Sequence, residues 1–202
     1  MKWFRHKKKQ KVRKFLSFHD YLTIFAATSE AVRNEQYAAM GALPRQSVVC
    51  GKDVPESLNH ITYGQLDDLH DVPTGAEAIV NCCKVILGVS EAAVMMERAD
   101  RVLWFASFCN KEVERINKIF ASVHPEYEPE EKMAGIDKLK FGSFGVLDWY
   151  AKRMGISDQN AVRDVPWIRI YQCMKNDNEY ARYEKRLRAV YRRKNQTKNT
   201  KR

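Results

Sequence analysis

The chain contains one short stretch whose side chains could bind a metal ion together: Asp67, Asp68, His70 and Asp71. Carboxylate and imidazole groups are common metal ligands. On a helix, however, Asp67 would share a face only with His70 or with Asp71, because neighbours on a helix surface are three or four residues apart. The sequence has no second carboxylate–histidine pair to complete a site. We therefore predict a solvated polar face and no metal ion.

A second candidate is the glycine-containing segment Phe141–Gly145, which could be a phosphate-binding loop. A P-loop needs a hydrophobic strand before it and a Lys-Ser/Thr pair after it, and the sequence has neither. The segment instead predicts a tight turn into a helix, with Ser143 as the N-cap.

The remaining residues contain no recognisable catalytic motif. None of the five histidines lies near a nucleophile motif: the chain has no G-x-S-x-G, no H-E-x-x-H and no P-loop. The acidic pair Glu130 and Glu131 belongs to a charged, proline-containing segment that we expect to be exposed, where burial cannot tune acid–base chemistry. We expect a non-enzymatic protein that needs no cofactor.

The net charge of +10 comes from the two ends of the chain. Residues 1–14 hold eight basic side chains, residues 185–202 hold nine, and neither segment has an acid. The other eighteen basic residues stand against all 25 acidic ones, so residues 15–184 have a net charge of −7. We predict a basic N-terminal arm over 1–14, an acidic helical domain over 15–184 and a basic C-terminal tail over 185–202.

The basic ends are the candidate sites for binding nucleic acid or a partner. The candidate residues are Lys2, Arg5, Lys7, Lys8, Lys9, Lys11, Arg13, Lys14, Lys185, Arg186, Arg188, Arg192, Arg193 and Lys194. Contact with DNA would depend on salt, with a slope of about −0.9 per neutralised phosphate, and would tolerate any sequence because no base-reading element is present. The ends could also dock on a neighbouring copy, lie on a membrane surface or only keep the protein in solution.

The opposite charges of the domain and its ends favour contacts between copies. Such contacts would build a head-to-tail or ring-shaped homo-oligomer.

Hydrophobic spacing predicts an all-α fold, a compact multi-helix domain with basic ends. The clearest pattern is a stripe with alternating spacings of four and three residues, made by Val102, Ala106, Cys109, Val113, Ile116 and Phe120. It predicts a long helix that packs against another helix, in the same fold or in a neighbouring subunit. Residues 44–54, with their proline and glycine, predict a loop or a short hairpin.

Capping patterns predict where individual helices begin and end. We place helix starts at Asp20, Thr62 (with Gln65), Thr74 (with Glu77) and Ser90, helix ends at Gly88 and Gly155, and a break in the last helix at Asn176–Asn178.

The five cysteines are odd in number and lack a C-x-x-C spacing. They predict small buried thiols in a reducing compartment. No uncharged stretch approaches the roughly 18 residues that span a bilayer, and His19 and Asp20 interrupt the one segment that follows a signal-like basic start. We expect a soluble intracellular protein, neither secreted nor membrane-spanning.

Three segments, Phe141–Arg153, Val165–Trp167 and Tyr180–Leu187, resemble parts of small helical proteins of tailed bacteriophages. These are the head-to-tail connector (ring) and tail-assembly groups, and the resemblance covers about the last third of the chain. It implies an all-α virion or assembly component, found in the virion or the host cytoplasm, that oligomerises and contacts other virion proteins. A basic arm in such a protein would face packaged DNA or lock onto an adjacent ring.

Overall fold

The computed structural model describes residues 15–40, 42–70, 75–123 and 127–199, so the predicted N-terminal arm lies outside the described residues. The predicted all-α fold is confirmed, because helices make up most of this part of the chain and its sheet has two short strands. The α-helices are α1 (Phe18–Ala26), α2 (Glu30–Met40), α3 (Tyr63–His70), α4 (Ala76–Leu87), α5 (Glu91–Met96), α6 (Ala99–Ala121), α7 (Pro129–Met133), α8 (Gly142–Met154) and α9 (Trp167–Asn199). Two 3-10 helices cover Ile136–Lys138 and Gln159–Asp164, and the strands are β1 (Val48–Val49) and β2 (Lys52–Asp53).

The described residues form two compact units, each with its own core. Unit 1 consists of the described residues within Met1–Val54 and Thr74–Phe108. Unit 2 consists of the described residues within Pro55–Pro73 and Cys109–Arg202. Phe18 and Phe105 are fully buried in unit 1, and Leu58 and Trp167 are buried in unit 2. The helical residues of α6 belong to both units.

Of the two alternatives predicted for residues 44–54, the structure has the hairpin. The strands β1 and β2 are antiparallel, with Val49 opposite Lys52. Cys50 and Gly51 form the turn with φ angles of 51° and 72°, and positive φ at both central residues defines the type I′ turn that fits the twist of a hairpin. Left-handed backbone costs energy at a cysteine. The Cys50 N–H donates to Glu97 Oε2 at 2.7 Å, which holds this conformation in place.

The start of α1 differs from its prediction, because the N-cap is Ser17 rather than Asp20. Ser17 Oγ accepts the backbone N–H of Asp20 at 3.1 Å and donates its own proton to the Asp20 carboxylate at 2.6 Å. The Phe18 N–H donates to the backbone oxygen of Glu97 at 2.8 Å. This tertiary contact, invisible in local spacing, sets the helix start three residues earlier.

Other helix ends agree with the sequence. Ser90 caps α5, and the residues after α4 and α8, Gly88 and Gly155, adopt the left-handed conformation that ends a helix. The N-cap of α4 is Gly75; Thr74 lies outside the described residues.

In unit 2, the predicted capping box at Thr62 and Gln65 is present. Thr62 Oγ1 accepts the Gln65 N–H at 3.1 Å, and Gln65 Oε1 accepts the Thr62 N–H at 3.0 Å. Thr62 also forms an isolated antiparallel bridge with Pro166, and the Tyr63 N–H donates to Val165 O at 2.8 Å. Backbone contacts therefore hold the start of α3 against the start of α9.

Cys82, Cys83 and Cys109 are buried, and no disulfide bond is present among the described residues. A hydrogen bond from the Cys83 thiol lowers the pKa of the half-buried Cys50 thiol. The same bond, with burial, raises the pKa of Cys83.

No helix within the described ranges combines the length and the hydropathy that crossing a membrane requires.

Candidate functional site

The long last helix, α9, is anchored in unit 2 by its first third. Trp167 and Ile170 are buried, and the Trp167 indole Nε1 donates to Leu58 O at 2.8 Å. Further along, Asn178 Nδ2 donates to Val123 O at 3.1 Å. The inner part of α9 is thus held by both packing and directed hydrogen bonds.

The predicted break at Asn176–Asn178 is wrong, since α9 runs unbroken over 33 residues. Asn and Asp favour breaks because their side chains compete for nearby backbone groups. Here tertiary partners occupy those side chains: Asn178 binds Val123 O, and the Asp177 carboxylate binds the guanidinium of Arg153 at 3.0 and 3.1 Å.

Beyond this anchor, α9 continues as residues 179–199, which we call the outer segment. At 1.5 Å per residue it is about 30 Å long. Lys185 Nζ contacts the Glu128 carboxylate at 2.8 Å, whereas every side chain from Arg188 to Gln196 is exposed. The helix therefore presents its end to solvent.

The outer segment has two distinct faces when its residues are placed at about 100° per residue. One face, the basic arc, consists of Lys185, Arg186, Arg188, Arg192 and Arg193. The opposite face, the apolar arc, consists of Tyr180, Tyr183, Leu187, Val190 and Tyr191. Four members of the apolar arc are between 49% and 64% exposed. The outer segment is thus amphipathic while facing solvent on both sides.

The structure brings together the six predicted C-terminal binding residues. All six lie on the outer segment with exposed side chains; five form the basic arc, and Lys194 lies on the side of the apolar arc. The eight predicted residues between Lys2 and Lys14 lie outside the described residues.

The predicted stripe lies on one helix, α6, and is largely engaged within the chain. Its buried members are Val102, Ala106, Cys109 and Ile116, and its half-buried members are Val113 and Phe120. In unit 2, the Phe120 ring lies 5.8 Å from the Trp167 ring and 6.0 Å from the Tyr171 ring, measured between centroids. These members serve the cores of the chain itself.

The predicted solvated polar face of the acidic cluster at the end of α3 is confirmed for Asp68 and His70, which are exposed, but is wrong for Asp67, which is buried against Arg163. The Arg163 guanidinium donates to the carboxylates of Asp67, at 2.7 Å, and of Asp68. His70 Nε2 lies 3.1 Å from Asn117 Nδ2, and Asp71 lies outside the described residues. Among the described residues, no three potential metal-binding side chains are grouped to hold an ion.

A cavity of about 560 Å³ adjoins this cluster within unit 2. Its walls combine apolar side chains such as Phe120 and Met174 with Tyr63, Asp67 and His70. Burial, followed by the nearby charge of Asp67, raises the pKa of Tyr63 to about 12. Tyr63 is only 8% exposed. No sequence pattern indicated this cavity.

The glycine segment forms the start of α8, as the predicted turn into a helix requires. The N-cap is Phe141, so the prediction of Ser143 as N-cap is wrong, because the helix starts one residue before it. Gly142 has a φ of 58°, and a Cβ on Gly145 would lie 2.5 Å from the Phe141 Cβ. These glycines serve a tight turn and a close side-chain approach.

Residues 128–144, which we call the acidic-apolar segment, expose large apolar side chains beside acids. The exposed fractions are 87% for Met133, 56% for Leu139, 69% for Phe141 and 61% for Phe144. Glu128, Glu130 and Glu131 are exposed in the same segment. Like the outer segment it exposes large apolar side chains, and its four acids and three lysines give it a net charge of −1, with three of the acids at its start.

Comparison of the chain with protein-family models, with curated proteins and with solved structures gives no match. The functional argument therefore depends on the two exposed segments themselves.

Proposed function

We propose that this protein is a non-enzymatic assembly component that forms a homo-oligomer through the outer segment of α9. The observation that carries the proposal is the exposed apolar arc. Tyr180, Tyr183, Leu187 and Val190 follow one another at spacings of three, four and three residues, which aligns them along one side of the helix. Apolar side chains aligned on an exposed helix form the kind of patch that marks a binding surface.

Charge favours a second copy as the partner. The basic arc belongs to the end of a chain whose residues 15–184 have a net charge of −7. The acidic residues of one copy can therefore form ion pairs with the basic arc of another copy. Complementary charge of this kind accelerates association and selects the partner.

The resemblance of the last third of the chain to tailed-phage connector and tail-assembly proteins agrees with this role. It makes the virion, or an intermediate in its assembly, the setting that we propose.

Sedimentation velocity of the full chain over a range of concentrations tests the proposal. We expect a defined oligomer for the wild-type protein and dissociation by Val190→Glu, which places a charge in the apolar arc at an exposed position. Gln172→Glu is the control, because it adds the same charge at an exposed position on the inner part of α9. A monomeric wild-type protein, or equal assembly of both variants, would refute the proposal.

The basic arc specifically favours a second candidate function, sequence-tolerant binding of nucleic acid. If each of the five exposed bases of the basic arc contacted one phosphate, the logarithm of the affinity would fall with the logarithm of the salt concentration with a slope of about −4.5. We expect Arg188→Gln with Arg192→Gln to reduce that slope by about two, and Arg169→Gln, an exposed control on the inner part of α9, to leave it unchanged.

Fluorescence anisotropy of two unrelated labelled duplexes, titrated at several salt concentrations, measures the slope. This candidate is refuted if the full-length protein fails to bind either duplex at low salt.

A further inference from the structure

We infer that the outer segment of one copy docks on the acidic-apolar segment of a second copy, a conclusion that rests on the proposed assembly function. The two segments belong to the same chain, so each copy carries both halves of the contact. Contacts of this heterologous kind repeat from copy to copy.

The acidic-apolar segment offers an apolar surface that nothing in the described chain covers. Its four large apolar side chains are each more than half exposed. Buried apolar area stabilises a contact by about 25 cal/mol per Å². The tyrosines, leucine and valine of the apolar arc are the matching surface.

The cavity in unit 2 opens beside this apolar surface, because two residues of the acidic-apolar segment line it. Gly142 and Ser143, which line it, stand in the chain between the exposed rings of Phe141 and Phe144. The polar side chains of Tyr63, Asp67 and His70 also line the cavity. A recess with both apolar and polar walls suits an aromatic side chain with a polar tip, and the apolar arc carries three tyrosines.

Charge sets the register of the contact. Within one chain, Lys185 at the base of the outer segment pairs with Glu128 at 2.8 Å. Beyond that point Arg188 contacts the Glu184 carboxylate of its own helix at 3.2 Å, whereas the side chains of Arg192 and Glu130 are exposed. We expect Arg192 of one copy to pair with Glu130 of another.

Charge reversal tests the contact in the full chain, with the dissociation constant of self-association measured by sedimentation equilibrium. We expect Glu130→Lys and Arg192→Glu each to raise this constant about tenfold, as unfavourable like-charge contacts do. The double variant restores opposite charges and should return to within about threefold of the wild-type value. Glu114→Lys, an equal charge change at an exposed position of α6, is the control and should have no effect.

Phe144→Ser tests the apolar half at an exposed position and should also weaken assembly at least about tenfold. If Val190→Glu dissociates the oligomer while Glu130→Lys and Phe144→Ser assemble like the wild type, the acidic-apolar segment is not the docking surface, although the assembly function stands. If neither the wild-type protein nor any variant associates, the assembly function itself fails. If both single charge variants associate more weakly and the double variant does not recover the wild-type dissociation constant, the pairing of Glu130 with Arg192 is also refuted.

Discussion

Replacement of Arg163 by methionine should destabilise unit 2 much more than the same replacement of Arg153. Both arginines bind carboxylates with well-formed hydrogen bonds. Arg163 neutralises Asp67, which is only 8% exposed, whereas the Asp177 partner of Arg153 has a side chain that is 42% exposed. Water can solvate Asp177 after Arg153 is lost but cannot reach Asp67 in the same way.

The magnitude follows from this burial. Removing one partner of a fully buried ion pair costs about 3–5 kcal/mol. Because the Arg163 side chain is itself 32% exposed, we expect a smaller loss of about 2–3 kcal/mol in the free energy of unfolding. With a denaturant slope of about 2 kcal/mol per molar urea, the midpoint falls by about 1–1.5 M. The Arg153→Met midpoint should stay close to that of the wild type.

Urea unfolding followed by tryptophan fluorescence measures the difference. Trp3→Phe and Trp104→Phe provide the background, so that only Trp149 and Trp167, both in unit 2, report the transition.

A double variant provides the internal check. Asp67→Asn in the Arg163→Met background removes the orphaned charge and should recover about half of the lost stability or more. Equal midpoints for Arg163→Met and Arg153→Met, or no recovery in the double variant, would refute the reasoning.

Three further predictions concern single side chains. The fold favours the neutral form of Tyr63, because its pKa is raised to about 12. The stability that this contributes is present below pH 10 and is lost as the pH rises towards 12, with a loss of about 1.4 kcal/mol at pH 11. Urea midpoints should show this loss for the wild type but not for Tyr63→Phe. Gly64→Ala places a Cβ 2.9 Å from the Cβ and backbone oxygen of Arg163, so thermal unfolding should reveal a cost of about 1–3 kcal/mol. The hydrogen bond from Cys83 lowers the pKa of the Cys50 thiol, so Cys50 should react with iodoacetamide before Cys83 does. In the Cys83→Ala variant, the reaction of Cys50 should begin at higher pH, and mass spectrometry measures both effects.

Local patterns predicted much of the helical fold. The period of the α6 stripe and the cap residues Ser90 and Gly88 act through contacts within a few residues, so their meaning is readable from the sequence. The exposed position of the C-terminal bases was equally predictable, because a run of like charges cannot be buried cheaply.

Contacts between distant residues determined what the sequence did not show. Arg163 and Asp67 are 96 residues apart, so no spacing rule connects them, and the cavity beside them depends on the same long-range packing. The continuity of α9 through Asn178 likewise depends on the distant carbonyl of Val123. The exposure of Phe141 and Phe144 likewise has no signal in the sequence, because large aromatic side chains are more often buried.

The unbroken course of α9 has a geometric consequence for any assembly built through its outer segment. A rigid helix anchored at Trp167 fixes the angle at which each copy presents its end, so every added copy is rotated equally relative to the one before. Closure into a ring or growth into an open filament then depends on that angle. Inserting one residue after Asn178 would turn the outer segment by about 100° and advance it by about 1.5 Å, which would change the symmetry of the assembly while leaving both contact surfaces intact.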